Sequence, residues 1–166
     1  LAASDTLIYQ NIVTNNETGI RAGFFDSTRS RFVNNTVYNN YNMGTHTQGA
    51  ELVDVHFKNN IVVGPRAAAG DWSTANPSVQ SISYDRNIYY NHSMFADFTA
   101  GAIAFPVWQS IYGLDLNSLN GINPLLVNPA GNDFHLQSSS PARTLGIDVL
   151  DLNNNGSTID IIPAGA

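Results

Sequence analysis

The sequence predicts an all-β fold built as a solenoid, with coils of about 24–27 residues. The first observation is an internal repeat of that length, which is the signature of repeat architectures. The second is that the apolar positions within each repeat fit short β-strands separated by a bend. Of the 166 residues, 43% are hydrophobic, an ordinary share, and only 12% are charged. This length suits one domain with a real core.

The repeat becomes visible when four segments are aligned on one Asn. Each segment has an apolar or aromatic residue three positions before that Asn and another two positions after it. The segments are LIYQNIVTNN (7–16), RFVNNTVYNN (31–40), HFKNNIVVG (56–64) and SYDRNIYYN (83–91), with Asn11, Asn35, Asn60 and Asn87 in register. These Asn are spaced by 24, 25 and 27 residues.

Each repeat is predicted to hold two short strands that meet at the aligned Asn. Inward residues of one strand lie an even number of positions apart, so a separation of five requires a bend between them. Asn suits a bend because it tolerates left-handed backbone angles and hydrogen-bonds its own turn. If each repeat is one coil, the aligned Asn stack about 4.8 Å apart and their side chains form a ladder.

The chain is expected to form a single domain over residues 1–166, with regular coils over 1–92 and a closing segment over 93–166. A long loop at 64–82, rich in Gly, Ala, Pro and Ser, interrupts the coils. The closing segment should contain a short helix and terminal strands, and it should cover the C-terminal end of the solenoid. No comparable cap is apparent before the first repeat, so we expect either a short solenoid capped by a partner domain or the C-terminal part of something longer. An exposed end coil also allows an end-to-end dimer.

Charge and cysteine content exclude several classes of partner. The net charge is −6, with one Lys and six Arg, and this argues against nucleic acid, whose binding depends on Lys and Arg contacts to phosphate. Neutral polar side chains favour neutral, hydroxyl-rich ligands over polyanionic sugars. Without Cys there is neither a disulfide nor a thiolate metal site. No apolar run is long enough to cross a membrane, and we expect a secreted protein.

The pattern resembles the right-handed parallel β-helix proteins that act on polysaccharides, and the resemblance covers most of the chain. It is strongest in VWQSIYGLDLNSLNGINPLLVNPAGNDFHLQSSSPARTLGIDV (107–149), where that family has a short Trp-bearing helix before "dPlFvnp…gDfhLq..SPa...G". The final DIIPAGA (160–166) resembles the family's closing "DiGA". The resemblance implies a right-handed parallel β-helix with a C-terminal capping segment, and it implies no particular chemistry.

Four polar residues are predicted to share the outer face of adjacent coils: Arg31, His56, Lys58 and Asp85. The resemblance implies that a lyase of this family would need an Arg or Lys base, often with Ca²⁺ held by carboxylates. A glycoside hydrolase needs two carboxylates beside the scissile bond. These four residues are therefore weak catalytic candidates, and the alternative is a surface ion pair between Lys58 and Asp85.

The stretch DLNNNGSTID (151–160) resembles the start of a calcium loop. Asp151, Asn153 and Asn155 alternate, Gly156 supplies a sharp turn and Asp160 follows. The Glu expected at position twelve is absent, and the alternative is an Asx-rich turn. Calcium bound here would be structural, and no other cofactor is expected.

Four aromatic residues are candidates for stacking on sugar rings, because an aromatic side chain joins a large apolar face to a polar tip. They are Trp72 in the polar loop, Tyr38 and Tyr90 at equivalent positions two coils apart, and Trp108 in the predicted helix. The alternatives are that Trp108 packs over the end of the solenoid and that the tyrosines are ordinary strand residues.

Together these features predict a non-catalytic carbohydrate-binding module for a neutral plant cell-wall polysaccharide such as xylan, attached to a larger glycoside hydrolase. The alternative is the C-terminal part of a β-helix polysaccharide lyase or glycoside hydrolase. A third hypothesis is a surface or adhesion protein without a defined sugar ligand. Product release from a polysaccharide separates the second hypothesis from the first.

Overall fold

The computed structural model describes residues 3–22, 27–47, 52–64, 67–71, 81–92, 94–97 and 101–166. Within these ranges the chain is mostly β and carries one short α-helix. The first strands are β1 (Ala3–Ser4), β2 (Leu7–Tyr9), β3 (Ile12–Thr14), β4 (Thr18–Ala22), β5 (Ser27–Thr28), β6 (Arg31–Val33), β7 (Thr36–Tyr38), β8 (Met43–Thr47), β9 (Leu52–Val53), β10 (Val55–Lys58), β11 (Ile61–Val63) and β12 (Ala67–Asp71). The later elements are β13 (Ile82–Asp85), β14 (Ile88–Tyr90), β15 (Met94–Asp97), β16 (Gly101–Ile103), α1 (Phe105–Tyr112), β17 (Leu119–Asn120), β18 (Leu126–Asn128), β19 (Asp133–Leu136), β20 (Gly146–Ile147) and β21 (Ile161–Ile162), with 3₁₀ turns at Pro129–Gly131 and Pro141–Thr144.

Successive passes of the chain add strands to the same sheets. Sheet I has the order β13-β10-β6-β2, sheet II β17-β14-β11-β7-β3, sheet III β16-β15-β12-β8-β4 and sheet IV β1-β5-β9. We call the passes β1–β4, β5–β8, β9–β12 and β13–β15 layers 1 to 4. Pairs between layers are parallel, whereas β15–β16, β18–β19 and β20–β21 are antiparallel. The prediction of a mostly β chain with parallel strands is confirmed.

The predicted bend lies at the aligned Asn, but the left-handed residue is the one before it. Gln10, Asn34, Asn59 and Arg86 have φ of 51°, 55°, 58° and 55°. Each separates a strand of sheet I from the next strand of sheet II. The prediction that the aligned Asn itself adopts this conformation is therefore wrong, and the chain tolerates Gln and Arg at the strained position.

The aligned Asn side chains form the predicted ladder. The backbone N–H and the Nδ2 of Asn35 both donate to Oδ1 of Asn60, at 2.9 and 3.0 Å. Asn11 donates in the same way to Asn35, and Asn60 to Asn87. At the last rung, Nδ2 of Asn87 donates to Oδ1 of Asp115 at 3.0 Å. The ladder therefore satisfies the buried backbone at each bend and ends on a carboxylate.

The inward residues of sheet I stack as rings. Phe32 and Phe57 lie 4.4 Å apart between ring centroids, and Phe57 and Tyr84 lie 4.7 Å apart, nearly parallel in both cases. Trp108 of α1 meets Tyr84 edge to face at 5.7 Å and is fully buried. The helix therefore covers the layer 4 end of this stack. Pro106 lies in the first turn of the helix, and Gly113, at φ 65°, caps its C-terminus.

The later part of the closing segment lies against the side of the layers. It forms a second apolar cluster on the outer face of sheet II, where Ile61 and Ile88 pack with Leu126, Phe134, Ala142 and Ala164. Three side chains at the left-handed corner also hold its backbone: Asn34 Nδ2 donates to Pro163 O at 2.7 Å, Asn59 Nδ2 to Ile147 O at 2.7 Å and Arg86 Nη1 to Leu145 O at 3.1 Å. The prediction that the whole segment caps the end holds only for α1.

Two predicted boundaries also change. The loop expected at 64–82 contains β12, which pairs with β8 and β15. The regular coils were expected to stop at residue 92, yet β15 and β17 continue sheets III and II beyond it. In the described part of the chain, no helix has the length and apolar character needed to cross a membrane.

Candidate functional site

The outer face of sheet I brings the four predicted polar residues onto neighbouring strands. Arg31 of β6 pairs with His56 of β10, and Lys58 of β10 pairs with Asp85 of β13. Ser83 pairs with His56 on its other side. All five are partly exposed, and they form what we call the sheet I face.

Asp54, which was not among the predicted site residues, organises one half of this face. Its Oδ2 accepts from Nη2 of Arg31 at 2.6 Å, and its Oδ1 lies 2.8 Å from Nε2 of His56. The hydrogen bonds from Arg31 and His56 lower the pKa of Asp54, so it is ionised at neutral pH. Asp54 is left-handed, at φ 60°.

A sequence signal for Asp54 does exist. Six positions before the aligned Asn stand Asp5, Arg29, Asp54 and Ser81 in successive repeats. Asp5 and Arg29 are also left-handed, at φ 54° and 49°, and Arg29 donates Nε to Asp5 Oδ1 at 2.5 Å. The repeat therefore contains a second left-handed corner six positions before the aligned Asn, where the charge alternates between Asp5, Arg29 and Asp54.

The geometry fixes the tautomer of His56. Burial lowers its pKa, although the hydrogen bond to Asp54 opposes this, so the ring is neutral at pH 7. Because the Asp54 carboxylate only accepts, Nε2 of His56 must carry the proton. Nδ1 is then left as an acceptor, able to receive a hydroxyl proton from a ligand.

The other half of the face is arranged around Asp85 and not as the expected ion pair. The Asp85 carboxylate accepts from the backbone N–H and Nδ2 of Asn117, at 2.9 and 3.1 Å. Among the ion pairs of the described ranges, none joins Lys58 to Asp85. Lys58 and Asp85 instead line a concavity of about 300 Å³ together with Ser83, Tyr112 and Asn117.

The predicted sugar-stacking aromatics do not form one platform. Trp108 has no exposed surface and donates Nε1–H to Asp115 at 3.0 Å, so it offers no face to a ligand. Tyr38 and Tyr90 lie on either side of Val63 as predicted, but Tyr38 packs edge to face on Phe134 at 5.5 Å. Trp72 lies outside the described residues. The flat two-ring surface expected of Tyr38 and Tyr90 is therefore interrupted by the closing segment.

The candidate calcium loop is a hydrogen-bonded turn. Oδ2 of Asp160 accepts from Nδ2 of Asn153 and Asn155, at 3.1 and 2.6 Å. Oδ1 of Asp151 accepts from the backbone N–H groups of Asn155 and Gly156. Calcium needs oxygen ligands, so both Asn amides would have to rotate to bind it. Across the described ranges, no group of three or more His, Cys, Asp or Glu is placed to hold a metal, and calcium here stays a prediction.

Comparisons with protein-family models, with curated proteins and with solved structures find no match for this chain. The assignment of function therefore depends on the geometry of its own residues, above all on the sheet I face.

Proposed function

We propose that this chain is a right-handed parallel β-helix module that binds a neutral plant cell-wall polysaccharide such as xylan without cleaving it. It would serve a larger, secreted glycoside hydrolase by holding that enzyme on its substrate. The fold proposal is supported by parallel pairing of strands 24 to 27 residues apart and by the Asn ladder. It agrees with the resemblance of the repeats and of the closing segment to the polysaccharide-active β-helix family.

The observation that carries the binding proposal is the open, polar sheet I face. Neighbouring strands present the Ser83 hydroxyl, the Nδ1 of His56 and the Lys58 ammonium group. The amide of Asn117 lies beside them in a loop. Equivalent side chains of parallel strands recur about every 4.8 Å. A linear polymer lying across the strands can therefore meet His56 and Lys58 on layer 3 and Ser83 on layer 4 in succession.

The charges of the face favour a neutral polymer. Its two cations, Arg31 and Lys58, are balanced by the carboxylates of Asp54 and Asp85, and Arg31 is paired directly with Asp54, so the formal charges of the face sum to zero. The net charge of the chain is −6, which repels pectate or alginate at long range.

Affinity electrophoresis with variants tests this site. Lys58→Ala/Asn117→Ala removes two polar groups from the face, and Ile159→Ala is the control because Ile159 is 77% exposed in the closing segment. We expect soluble xylan to retard the wild type and the control, and the double variant to migrate freely. Trp72→Ala in the same gel tests the stacking residue predicted from the sequence, which lies outside the described residues. If xylan retarded the double variant as much as the wild type, the proposal that the binding site lies on the sheet I face would be wrong.

A second candidate function is catalysis at the same face, as part of a lyase or glycoside hydrolase. The observation in its favour is the Asp54–His56 pair beside Lys58, because a neutral imidazole oriented by a carboxylate is suited to general-base work. Release of reducing ends or unsaturated products from any polysaccharide, lost in His56→Ala, would favour this function. Unchanged polysaccharide after prolonged incubation would favour the binding module.

A further inference from the structure

A second concavity lies at the corner where layers 1 and 2 pass from sheet II to sheet III. Its volume is about 420 Å³, within the range of small-molecule sites. It is lined by Asn15, Asn16, Glu17, Asn39 and Tyr41. These residues belong to the β3–β4 and β7–β8 connections and are separate from the sheet I face.

Tyr41 supplies an uncovered ring in this concavity. It is 71% exposed, and among the described residues it is the one exposed aromatic side chain. Its backbone is held in place, since its N–H donates to Asn16 O at 2.7 Å and the next residue, Asn42, donates to Glu17 O at 2.7 Å. A mostly exposed ring on a hydrogen-bonded backbone suits stacking on a ligand.

Two left-handed Asn residues direct polar groups beside the ring. Asn15 and Asn39 have φ of 60° and 52°, and Nδ2 of Asn39 donates to Oδ1 of Asn15 at 2.9 Å. This bond leaves the Nδ2 of Asn15 as a donor and the Oδ1 of Asn39 as an acceptor, with no further partner for either in the part of the chain that the structure describes. Glu17 adds carboxylate oxygens that accept.

The chemistry of this set points to a pyranose ring. The apolar C–H face of a sugar can stack on Tyr41, while its rim hydroxyls both donate and accept hydrogen bonds. Glu17 contributes negative charge inside the concavity, and the whole chain is negative as well, so an anionic sugar is disfavoured.

We propose that this corner is a second carbohydrate site that takes one neutral pyranose unit between Tyr41 and the amides of Asn15 and Asn39. The proposal rests on the proposed function for its class of ligand but not for its location. A site at this corner lets a chain end or a second polymer strand be held apart from the sheet I face.

Binding of xylotetraose, measured by calorimetry and by saturation-transfer NMR, tests the proposal. The variants are Tyr41→Ala, Tyr41→Phe, Asn15→Gly and the control Ile159→Ala. Asn15→Gly keeps the left-handed backbone while removing the amide. We expect Tyr41→Ala to weaken binding roughly tenfold, Asn15→Gly to weaken it several-fold, and Tyr41→Phe and Ile159→Ala to stay within about twofold of the wild type.

Three outcomes overturn the proposal, and they are distinguishable from failure of the proposed function. If Tyr41→Ala binds as well as the wild type while Lys58→Ala/Asn117→Ala does not, the corner site is wrong and the sheet I site stands. If tri-galacturonate binds at the corner more tightly than xylotetraose, the assignment to neutral sugars is wrong. If neither xylotetraose nor the matching cello- and manno-tetraose binds the wild type, both proposals fail. Unchanged thermal unfolding of Tyr41→Ala, expected because its ring is exposed, confirms that lost binding does not reflect lost folding.

Discussion

Asp115 is the residue on which the interior of this protein converges. Its carboxylate has no exposure and accepts from Asn87 Nδ2, Trp108 Nε1, Tyr89 Oη and Ser118 Oγ. It joins the end of the Asn ladder to the helix that covers layer 4. Nothing in the sequence identified it, because a single Asp after a helix carries no period and its donors come from residues up to 28 positions away.

The pH dependence of stability should reveal this carboxylate. Burial raises the pKa of Asp115 to about 6, although the hydrogen bonds from Ser118, Asn87 and Trp108 lower it. The pKa of Asp115 is 3.8 in the unfolded chain and about 6 in the folded protein, so protonation of this carboxyl stabilises the fold. This stabilisation is fully present below pH 3.8 and is lost as the pH rises through 6. From pH 7 to pH 4 the free energy of unfolding should gain up to about 3 kcal/mol from this group.

Comparison with Asp115→Asn isolates that contribution. Burial lowers the pKa of His56 and His92, so both oppose the gain as pH falls below 6.5, and they do so equally in the two proteins. We expect the wild type to gain stability relative to Asp115→Asn as the pH falls from 7 to 4, measured by urea unfolding. A difference between the two proteins that stays constant across this range would contradict the assignment.

The rungs of the ladder should differ in their effect on stability. Asn60 is fully buried and accepts from both the N–H and the Nδ2 of Asn35. Asn60→Ala leaves these buried donors unpaired, so it should lower the free energy of unfolding by about 2–4 kcal/mol. Asn11 is exposed at the layer 1 edge, and Asn11→Ala should cost less than about 1 kcal/mol, since water replaces its partners. If denaturant unfolding showed the same loss of stability for Asn60→Ala and Asn11→Ala, the buried rungs of the ladder would not be what stabilises the bends.

At the scale of the elements, the short strands of the layers follow from local pattern and the closing segment does not. Each repeat predicted its own two strands, because apolar spacing and an Asn at the bend are local signals. The closing segment instead docks through bonds such as Asn59 to Ile147 and Asn34 to Pro163, which span 88 and 129 residues. No local pattern reveals a partner so distant, so the cover over Tyr38 was missed.

A pair of glycine substitutions tests how tightly the closing segment is docked. Gly165 has φ +84°, and an added Cβ would come within 2.9 Å of Thr36 Oγ1 and closer still to Ile61 Cδ1. Gly156 has a similar φ of +82° but open space around it. Gly156→Ala should cost about 1–2 kcal/mol for its backbone conformation alone, and Gly165→Ala should cost clearly more. Equal shifts in the thermal midpoint would mean that the tail is not packed against sheet II.

At the scale of the whole molecule, the two ends of the stack of layers differ within the described residues. The layer 4 end is covered by α1, whereas β2, β3, β4 and β1 are the terminal strands of their sheets at the layer 1 end. Leu7 and Ile12 are 54% and 49% exposed there. Unpaired strand edges with apolar side chains tend to associate.

For the 166-residue chain taken by itself, we expect the end-to-end dimer to form through this layer 1 edge. Sedimentation velocity should show a dimer for the wild type and a monomer for Leu7→Lys/Ile12→Lys, because edge lysines block strand pairing. Val127→Lys, at another exposed apolar position outside the layer 1 strands, is the matched control and should stay dimeric. A monomeric wild type at all concentrations would contradict the expectation.

The proposed function of the whole molecule requires that the chain bind a polysaccharide and leave it uncleaved. The most direct measurement is affinity electrophoresis of the wild type in gels containing soluble xylan, β-glucan, mannan or pectin, with the same polymers assayed for new reducing ends and unsaturated products. The proposed function predicts retardation by a neutral polymer, with xylan foremost, and no product. Free migration in every gel, or release of product from any polymer, would contradict it.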